Sequence, residues 1–386
     1  MSRVLGWLGL VGSRVPKAIF VGAALMVCFA ATASSQATSS EESSEAAQEA
    51  AVVEESDSDF AGLVDIGGDR KIYMECRGKG GPTVVLVSGL GDAAEVWSVA
   101  SDPENERPTV FAEVATFTRV CAYDRPSTST VTGETRSSPV QQPTSAKAAA
   151  ADLDAVLTAS GEPGPYVLAG HSYGGPIIRL YASAHPADVA GLVLVDALSE
   201  DLPNGLTPTQ QDLFEEMNTP PPDTDAEVLD SQATFQQLRE SPPAPPVPTV
   251  VLTADQPQLT PEVLASGQLP GGVDQEFADA LWVAQLAAQD EMAKKFPGAQ
   301  HITKTNSTHY IHLDNPQLVT DSIRQVVDTD SDGAETGGVV EGGGGGQLAD
   351  TGGLSLVPLA GAVGLALLLG TTGILTFVVA LVRRSS

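Results

Sequence analysis

The pentapeptide Gly170-His171-Ser172-Tyr173-Gly174 constrains this chain most, because it has the pattern G-x-S-x-G between a strand-like and a helix-like segment. The short apolar run 166–169 precedes it, and helical spacing resumes from Pro176. So tight a reversal from strand to helix forces a strained backbone on the central residue, and glycines on both sides let the two elements approach. The pattern predicts Ser172 as an exposed nucleophile at the turn.

A serine hydroxyl needs a base to act as a nucleophile at neutral pH, and the chain has only five histidines to supply one. His171 lies inside the turn, and His185 lies at the end of the following helix. His301 begins the segment 301–305, which alternates like a strand. His309 follows that segment, where a side chain can fold back over the carboxyl end of a sheet. We therefore predict His309 as the base, with His312 as the alternative.

The third member of such a site is a carboxylate that orients the imidazole and stabilises its charged form. Asp255 ends the segment 248–254, a continuous apolar strand of the kind buried in a parallel sheet, and is the first choice. Asp196 ends the strand-like segment 192–195 and is the alternative acid. Either choice gives the chain order Ser, Asp, His.

These motifs together resemble the α/β-hydrolase superfamily over residues 64–328. The segment 82–91 is similar to the third strand and oxyanion loop of that family, and 120–125 is similar to its fourth strand. The resemblance implies an α/β-hydrolase fold, in which a mostly parallel twisted sheet carries helices on both faces. It also implies a small lid after the sixth strand, at about 198–248, where substrate choice would reside.

The same resemblance assigns the oxyanion hole to the backbone N–H groups of Leu90 and Tyr173, which would donate to the charge of a tetrahedral intermediate. The strand order of the family brings Cys76 beside Cys121, so a disulfide is implied there, with two buried free thiols as the alternative. The histidines and cysteines show no metal-ligand spacing, and no phosphate-binding loop follows a strand. We expect neither a metal nor a cofactor.

Both ends of the chain carry addressing signals. Residues 1–33 combine basic residues, an apolar stretch and a small-residue site, which predicts a secretory signal peptide, with an uncleaved anchor as the alternative. Residues 348–386 hold Leu348-Ala349-Asp350-Thr351-Gly352, an apolar span and a basic tail, and resemble the sorting signal of Gram-positive surface proteins. A sortase would cut between Thr351 and Gly352 after transient membrane insertion of the span and join the protein to peptidoglycan. Without sorting, the span would be a membrane anchor.

The formal net charge of -29 disfavours nucleic acid as a partner, because a polyanion is repelled. Residues 34–59 are rich in Ser, Glu and Ala without Lys or Arg, and residues 329–347 are rich in Gly and Asp. Both are predicted to be solvated linkers. One hydrolase domain remains at 60–328.

We therefore expect a secreted, cell-wall-anchored serine hydrolase, a carboxylesterase or lipase that cleaves small or medium acyl esters through an acyl-enzyme. A peptidase or a cofactor-free haloperoxidase with the same residues is the alternative activity. A non-catalytic adhesion or display module on a hydrolase fold is the alternative of another class.

Overall fold

The computed structural model describes residues 58–100, 108–221, 224–267 and 269–335. The predicted signal peptide and the predicted sorting signal, with Thr351 and Gly352, lie outside these ranges. Within the ranges, no helix combines the length and the apolar character needed to cross a membrane.

Across the described part of the chain, eight strands form one sheet in the order β1-β2-β4-β3-β5-β6-β7-β8. The strands are β1 (Phe60–Gly67), β2 (Arg70–Arg77), β3 (Thr83–Val87), β4 (Val120–Tyr123), β5 (Tyr166–His171), β6 (Val189–Val195), β7 (Thr249–Leu252) and β8 (Gln300–Ile302). The pairs β1–β2 and β2–β4 are antiparallel, and the other pairs are parallel. The predicted mostly parallel sheet is confirmed.

The central strands are apolar throughout because both faces of the sheet are covered. Every residue of β3, β5 and β6 is buried, which is typical of parallel strands between two helical layers. The edge strand β1 instead alternates between exposed and more buried positions.

Helices cover both faces of the sheet. They are α1 (Val110–Val114), α2 (Ala146–Ser160), α3 (Gly174–Ala184), α4 (Pro208–Met217), α5 (Ser231–Glu240), α6 (Pro261–Ala265), α7 (Gln275–Lys294), α8 (Ile311–Asp314) and α9 (Pro316–Glu335). One core cluster joins the sheet to α2 and α3 through residues such as Leu153 and Ile177. A second cluster joins the other face to α1 and α9 through Phe111 and Ile323. Helix α9 runs to Glu335, beyond the domain end predicted at residue 328.

The segment predicted as the lid lies between β6 and β7 and carries α4 and α5. Helix α4 begins with a capping box, in which Thr207 and Gln210 satisfy each other's backbone N–H groups. Leu202 and Leu206 from the start of the lid pack with Leu281 of α7 in a third apolar cluster. The lid is therefore packed against α7.

A network of charged side chains fixes the beginning of the lid. The Glu200 carboxylate accepts hydrogen bonds from both terminal nitrogens of Arg179, at 2.7 and 2.9 Å, and a further one from Lys295. Burial raises the pKa of Glu200, but the hydrogen bonds and charges of Arg179 and Lys295 prevail and lower it to about 2. The network ties the lid to α3 and to the end of α7.

Cys76 of β2 and Cys121 of β4 lie directly opposite each other in the antiparallel register and form a disulfide bond. Of the two alternatives drawn from the sequence, the structure contains the bridged pair.

Candidate active site

Ser172 occupies the turn between β5 and α3 in a strained conformation. Its φ angle is 50°, in the left-handed region that residues other than glycine rarely adopt. The Ser172 N–H donates to the Val195 carbonyl oxygen at 3.1 Å, and the Ser172 carbonyl oxygen accepts from Gly175 and Leu198 at 3.0 and 2.9 Å. These bonds to the neighbouring strand and to the start of the lid hold the strained turn in place.

The glycines of the turn are required by close backbone contacts. A Cβ atom on Gly174 would lie 2.2 Å from the carbonyl oxygen of Val87, and one on Gly170 would lie 2.6 Å from the carbonyl oxygen of Gly174. Only glycine fits at either position without displacing backbone. The two glycines of the pattern G-x-S-x-G are therefore needed for the close packing of β5, α3 and β3.

His309 lies in the loop after β8, against the carboxylate of Asp196. Its Nδ1 atom is 2.6 Å from Asp196 Oδ2, and because a carboxylate accepts, Nδ1 carries the proton. Asp196 Oδ2 also accepts from Gln285 Nε2 at 2.6 Å, and Oδ1 accepts from the Ala254 N–H at 3.0 Å. With Nδ1 engaged, Nε2 is the ring nitrogen of His309 that can take up a proton.

Asp255, which the sequence favoured as the acid beside His309, bonds instead to other residues of the loop before His309. Its Oδ1 accepts from the Ser307 N–H at 2.9 Å and from the Thr305 hydroxyl at 3.4 Å, so its carboxylate holds the loop that leads to His309. The carboxylate at His309 is that of Asp196, the alternative acid. Asp196 follows the strand directly beside the strand that leads to Ser172, and the loop after β8 brings His309 to that position.

The other two histidines of this region are buried and neutral. His171 Nε2 lies 3.0 Å from the His309 carbonyl oxygen, to which it donates, and this bond fixes the His309 loop. Burial lowers the pKa of His171 well below its ordinary value and that of His312 to about 3. The His312 ring packs at a tilt against Trp97, with 4.6 Å between the ring centroids, and the residue is 2 % exposed. The structure therefore does not bring it to the cavity as a base.

The backbone N–H groups of Leu90 and Tyr173 are free to donate to a ligand. Neither has an acceptor among the hydrogen bonds of the described residues. Both residues line the same cavity as Ser172, and Tyr173 is the N-cap of α3, where the helix dipole favours negative charge. The two groups can therefore stabilise an oxyanion.

A buried ion pair holds the loop that carries Leu90, residues 88–91, hereafter the oxyanion loop. Arg125 and Glu227 form two hydrogen bonds, at 2.7 and 2.8 Å, and their side chains are 1 and 2 % exposed. Arg125 also donates to the carbonyl oxygens of Ser88 and Gly89, and Glu227 accepts from the Gly91 N–H at 2.7 Å. Since Glu227 belongs to the lid, the lid contributes directly to the shape of the oxyanion loop.

Ser172 and His309 line a cavity of 530 Å³ between the sheet and the lid. Its walls are largely apolar and come mostly from the lid and α7, with Leu202, Phe214 and Leu281 as examples. This volume and lining are typical of sites that enclose a small organic molecule.

Four residues of this site were not identified from the sequence. Gln285 and the Arg125–Glu227 pair support groups that the sequence did indicate, and Asp92 lines the cavity beside the oxyanion loop. The sequence offered a signal only for Arg125, a charged residue two positions after a buried strand.

Among the described residues, one group of three side chains brings possible metal ligands together, namely Cys76, Cys121 and Glu162. Both sulfurs belong to the disulfide, and the Glu162 carboxylate accepts two hydrogen bonds from Arg119. This group does not fit a metal ion.

Comparisons with known proteins found similar sequences and similar structures. An uncharacterized protein of Schizosaccharomyces pombe is 28% identical over 146 residues, which cover 33% of this chain and 26% of that protein, so the chain spans about a quarter of its length. The structure of a thermophilic esterase from Thermogutta terrifontis is 18% identical, with a TM-score of 0.46, over 71% of this chain and 99% of the other. An esterase from Rhodococcus sp. is 20% identical, with a TM-score of 0.41, over 70% and 98% of the two chains.

The sequence profile described as the alpha/beta hydrolase family matches residues 84–322, more than half of the 386-residue chain. The matched region runs from β3 to α9 and includes Ser172, Asp196 and His309. The chain therefore belongs to the alpha/beta hydrolase family.

Proposed function

We propose that this protein is a serine hydrolase that cleaves carboxylic esters through an acyl-enzyme on Ser172. The observation that carries the proposal is the hydrogen bond of 2.6 Å between His309 and Asp196 at the wall of the cavity that Ser172 also lines. A strained serine, an oriented imidazole and free backbone donors are the parts that acyl transfer requires.

In this mechanism the Ser172 hydroxyl oxygen attacks the ester carbonyl carbon while His309 Nε2 takes its proton. Asp196 stabilises the imidazolium, and the N–H groups of Leu90 and Tyr173 donate to the oxyanion. The C–O bond to the alcohol then breaks, and His309 returns the proton to the departing oxygen. In the second half of the cycle, His309 takes a proton from a water molecule, whose oxygen attacks the acyl carbon. The bond from that carbon to the Ser172 oxygen then breaks, and His309 returns the proton to Ser172 as the acid leaves.

The cavity supports small or medium acyl esters as the substrate class. A volume of 530 Å³ accommodates a ligand of modest size, and the apolar wall from the lid favours a hydrocarbon portion. Ester bonds with short alkyl groups on both sides match these two properties.

We also propose that the protein is exported and attached to the cell wall through Thr351. The support is the pairing of an N-terminal signal-like segment with the C-terminal sorting-like segment, together with a disulfide, which is typical of exported proteins. The test is the replacement Thr351→Ala in the native host. We expect the variant to move from the wall fraction to the membrane fraction, and an unchanged distribution would contradict wall attachment.

The catalytic proposal is tested by intact-mass analysis after reaction with a fluorophosphonate, alongside hydrolysis of p-nitrophenyl butanoate. We expect one adduct on the wild type and none on Ser172→Ala, with esterase activity lost in parallel. A folded wild-type protein that forms no adduct would favour the non-catalytic surface module. Hydrolysis of a matched amide tests the peptidase alternative. Bromination in the presence of acetate, peroxide and bromide tests the haloperoxidase alternative.

A further inference from the structure

The carboxylate of Asp92 lies on the wall of the active-site cavity and has no hydrogen-bond donor among the described residues. The residue is 7% exposed and lines the cavity together with Ser172 and His309. No side chain or backbone group of the described residues donates a hydrogen bond to its carboxylate oxygens. Buried carboxylates are ordinarily hydrogen-bonded or paired with a cation, and this one can accept such donors from a ligand in the cavity that it lines.

The backbone that carries Asp92 is fixed by hydrogen bonds on both sides of the residue. Its own N–H donates to the Gly89 carbonyl oxygen at 3.2 Å. Ser129 pairs with the same segment, donating to the Gly91 carbonyl oxygen at 2.9 Å and accepting from the Ala93 N–H at 3.2 Å. The backbone that presents the Asp92 side chain to the cavity is thus in place before any ligand binds.

The charges around Asp92 do not neutralise it. The nearest guanidinium, that of Arg125, is engaged by both oxygens of Glu227. Burial raises the pKa of Asp92 to about 7, with Arg125 and His309 opposing this rise and Glu227 adding to it. Burial and the Asp92 charge also raise the pKa of Tyr310, on the same cavity wall, well above its ordinary value.

The cavity as a whole favours a cation. Its described lining includes three carboxylates, those of Asp92, Asp196 and Glu216, and neither a lysine nor an arginine. Asp196 is paired with His309, and Glu216 is exposed to solvent. Asp92 is therefore the buried carboxylate left to meet a positive group of the ligand.

We propose that Asp92 binds a protonated amine of the substrate, so that the enzyme prefers esters that carry an ammonium group close to the scissile bond. The ammonium N–H donates to the Asp92 carboxylate, while the apolar wall from the lid covers the hydrocarbon part. This inference rests on the proposed ester hydrolysis by Ser172 and names the substrate class of that site.

The test uses two pairs of esters that have the same shape and differ in charge. In the first pair the alcohol carries the ammonium, as 2-(dimethylamino)ethyl butanoate against 3-methylbutyl butanoate. In the second pair the acid carries it, as ethyl 4-(dimethylamino)butanoate against ethyl 5-methylhexanoate. The ratio of kcat/KM within each pair is measured at pH 7.5 by acid release, for the full wild-type protein, Asp92→Asn and the control Glu216→Gln.

We expect the wild type to prefer the ammonium ester of at least one pair by about tenfold or more, as a charge-assisted hydrogen bond allows. In Asp92→Asn this ratio should fall by about tenfold or more, because the shape is kept and the charge is lost. In Glu216→Gln the ratio should change by less than about threefold, since exposed charges interact weakly.

A ratio that is unchanged in Asp92→Asn for both pairs would overturn the inference, and so would an equal loss in Glu216→Gln. In either case, hydrolysis of the uncharged esters and fluorophosphonate labelling of Ser172 would leave the proposed function standing. Absence of both hydrolysis and labelling in the folded wild type would overturn the proposed function together with this inference.

Discussion

Asp196 and His309, 113 residues apart in the chain, are joined by a hydrogen bond of 2.6 Å between Oδ2 and Nδ1. The bond connects the end of β6 with the loop after β8, and Gln285 of α7 donates to the same Asp196 oxygen. Three separate elements therefore determine how the imidazole of His309 is oriented.

The first prediction separates the two candidate acids. Asp196→Asn replaces the acceptor of the His309 Nδ1 proton by an amide, so kcat for a butanoate ester and the rate of fluorophosphonate labelling should fall by about a hundredfold or more. Asp255→Asn should change both rates by less than about tenfold, because Asp255 only holds the loop at Ser307. A larger loss in Asp255→Asn than in Asp196→Asn would contradict the assignment.

The second prediction concerns the ion pair under the oxyanion loop. Glu227→Gln leaves the buried Arg125 charge uncompensated, so the free energy of unfolding should fall by about 3 kcal/mol or more. The double variant Arg125→Met with Glu227→Leu should regain much of that stability, because an apolar pair needs no counter-charge. Urea unfolding measures both effects.

Activity in the same double variant tests the role of the pair in catalysis. Its hydrogen bonds to Ser88, Gly89 and Gly91 are lost, so kcat should stay at least about tenfold below the wild type even where stability recovers. A double variant with normal kcat would show that the pair stabilises the fold without positioning the oxyanion loop.

The third prediction follows from the pKa of Asp92, which burial raises from 3.8 to about 7. Between those two pH values the folded protein holds a proton that the unfolded chain has released, so the free energy of unfolding falls as pH rises through this window. The shift corresponds to a loss on the order of 4 kcal/mol above pH 7.

Asp92→Asn lacks this titration and should be more stable than the wild type at pH 8.5, with a much smaller gain at pH 4. Chemical unfolding of the two proteins at both pH values measures the difference. A stability gain that is the same at both values would mean that Asp92 does not titrate as its burial indicates.

The fourth prediction concerns acid stability. Because Arg179 and Lys295 lower the pKa of Glu200 from 4.5 to about 2 against the effect of burial, Glu200 stabilises the fold above pH 4.5, and this contribution is lost as pH falls to about 2. The shift corresponds to a contribution on the order of 3 kcal/mol.

Glu200→Gln should therefore lower the free energy of unfolding at pH 7 and differ less from the wild type at pH 2.5. Asp201→Asn is the matched control, since Asp201 contacts the same Lys295 but is more exposed, and it should cost less than about 1 kcal/mol. Equal losses in the two variants at pH 7 would contradict a special role for Glu200.

The sequence was sufficient for features that depend on local patterns. The turn at Ser172 is encoded within five consecutive residues, and the buried strands appear as short apolar runs beside turn signals. His309 could be selected because it directly follows the last strand-like segment. The alternation of that segment predicted a strand from 301 to 305, whereas β8 ends at Ile302.

Features that depend on packing between distant parts of the chain could not be predicted from local sequence patterns. Asp196 and Asp255 both follow a buried strand. The path of the His309 loop distinguishes them, and that path depends on contacts between residues far apart in the chain. Arg125 and Glu227 are 102 residues apart, and the burial of each is made possible by the other. Asp92 lies in a loop without periodicity, so its position at the cavity became evident only from the fold.

The bond from the Leu198 N–H to the Ser172 carbonyl oxygen has a consequence for how this site can change shape. Ser172 and Asp196 follow adjacent parallel strands, and the Ser172 N–H also donates to the Val195 carbonyl oxygen, so the backbones of these two residues are held together. His309 reaches this pair from a loop at the edge of the sheet, through its bond to Asp196 and the bond from His171 to its carbonyl oxygen. A loss of alignment short of unfolding should therefore involve the His309 loop, and activity should recover once those two bonds form again.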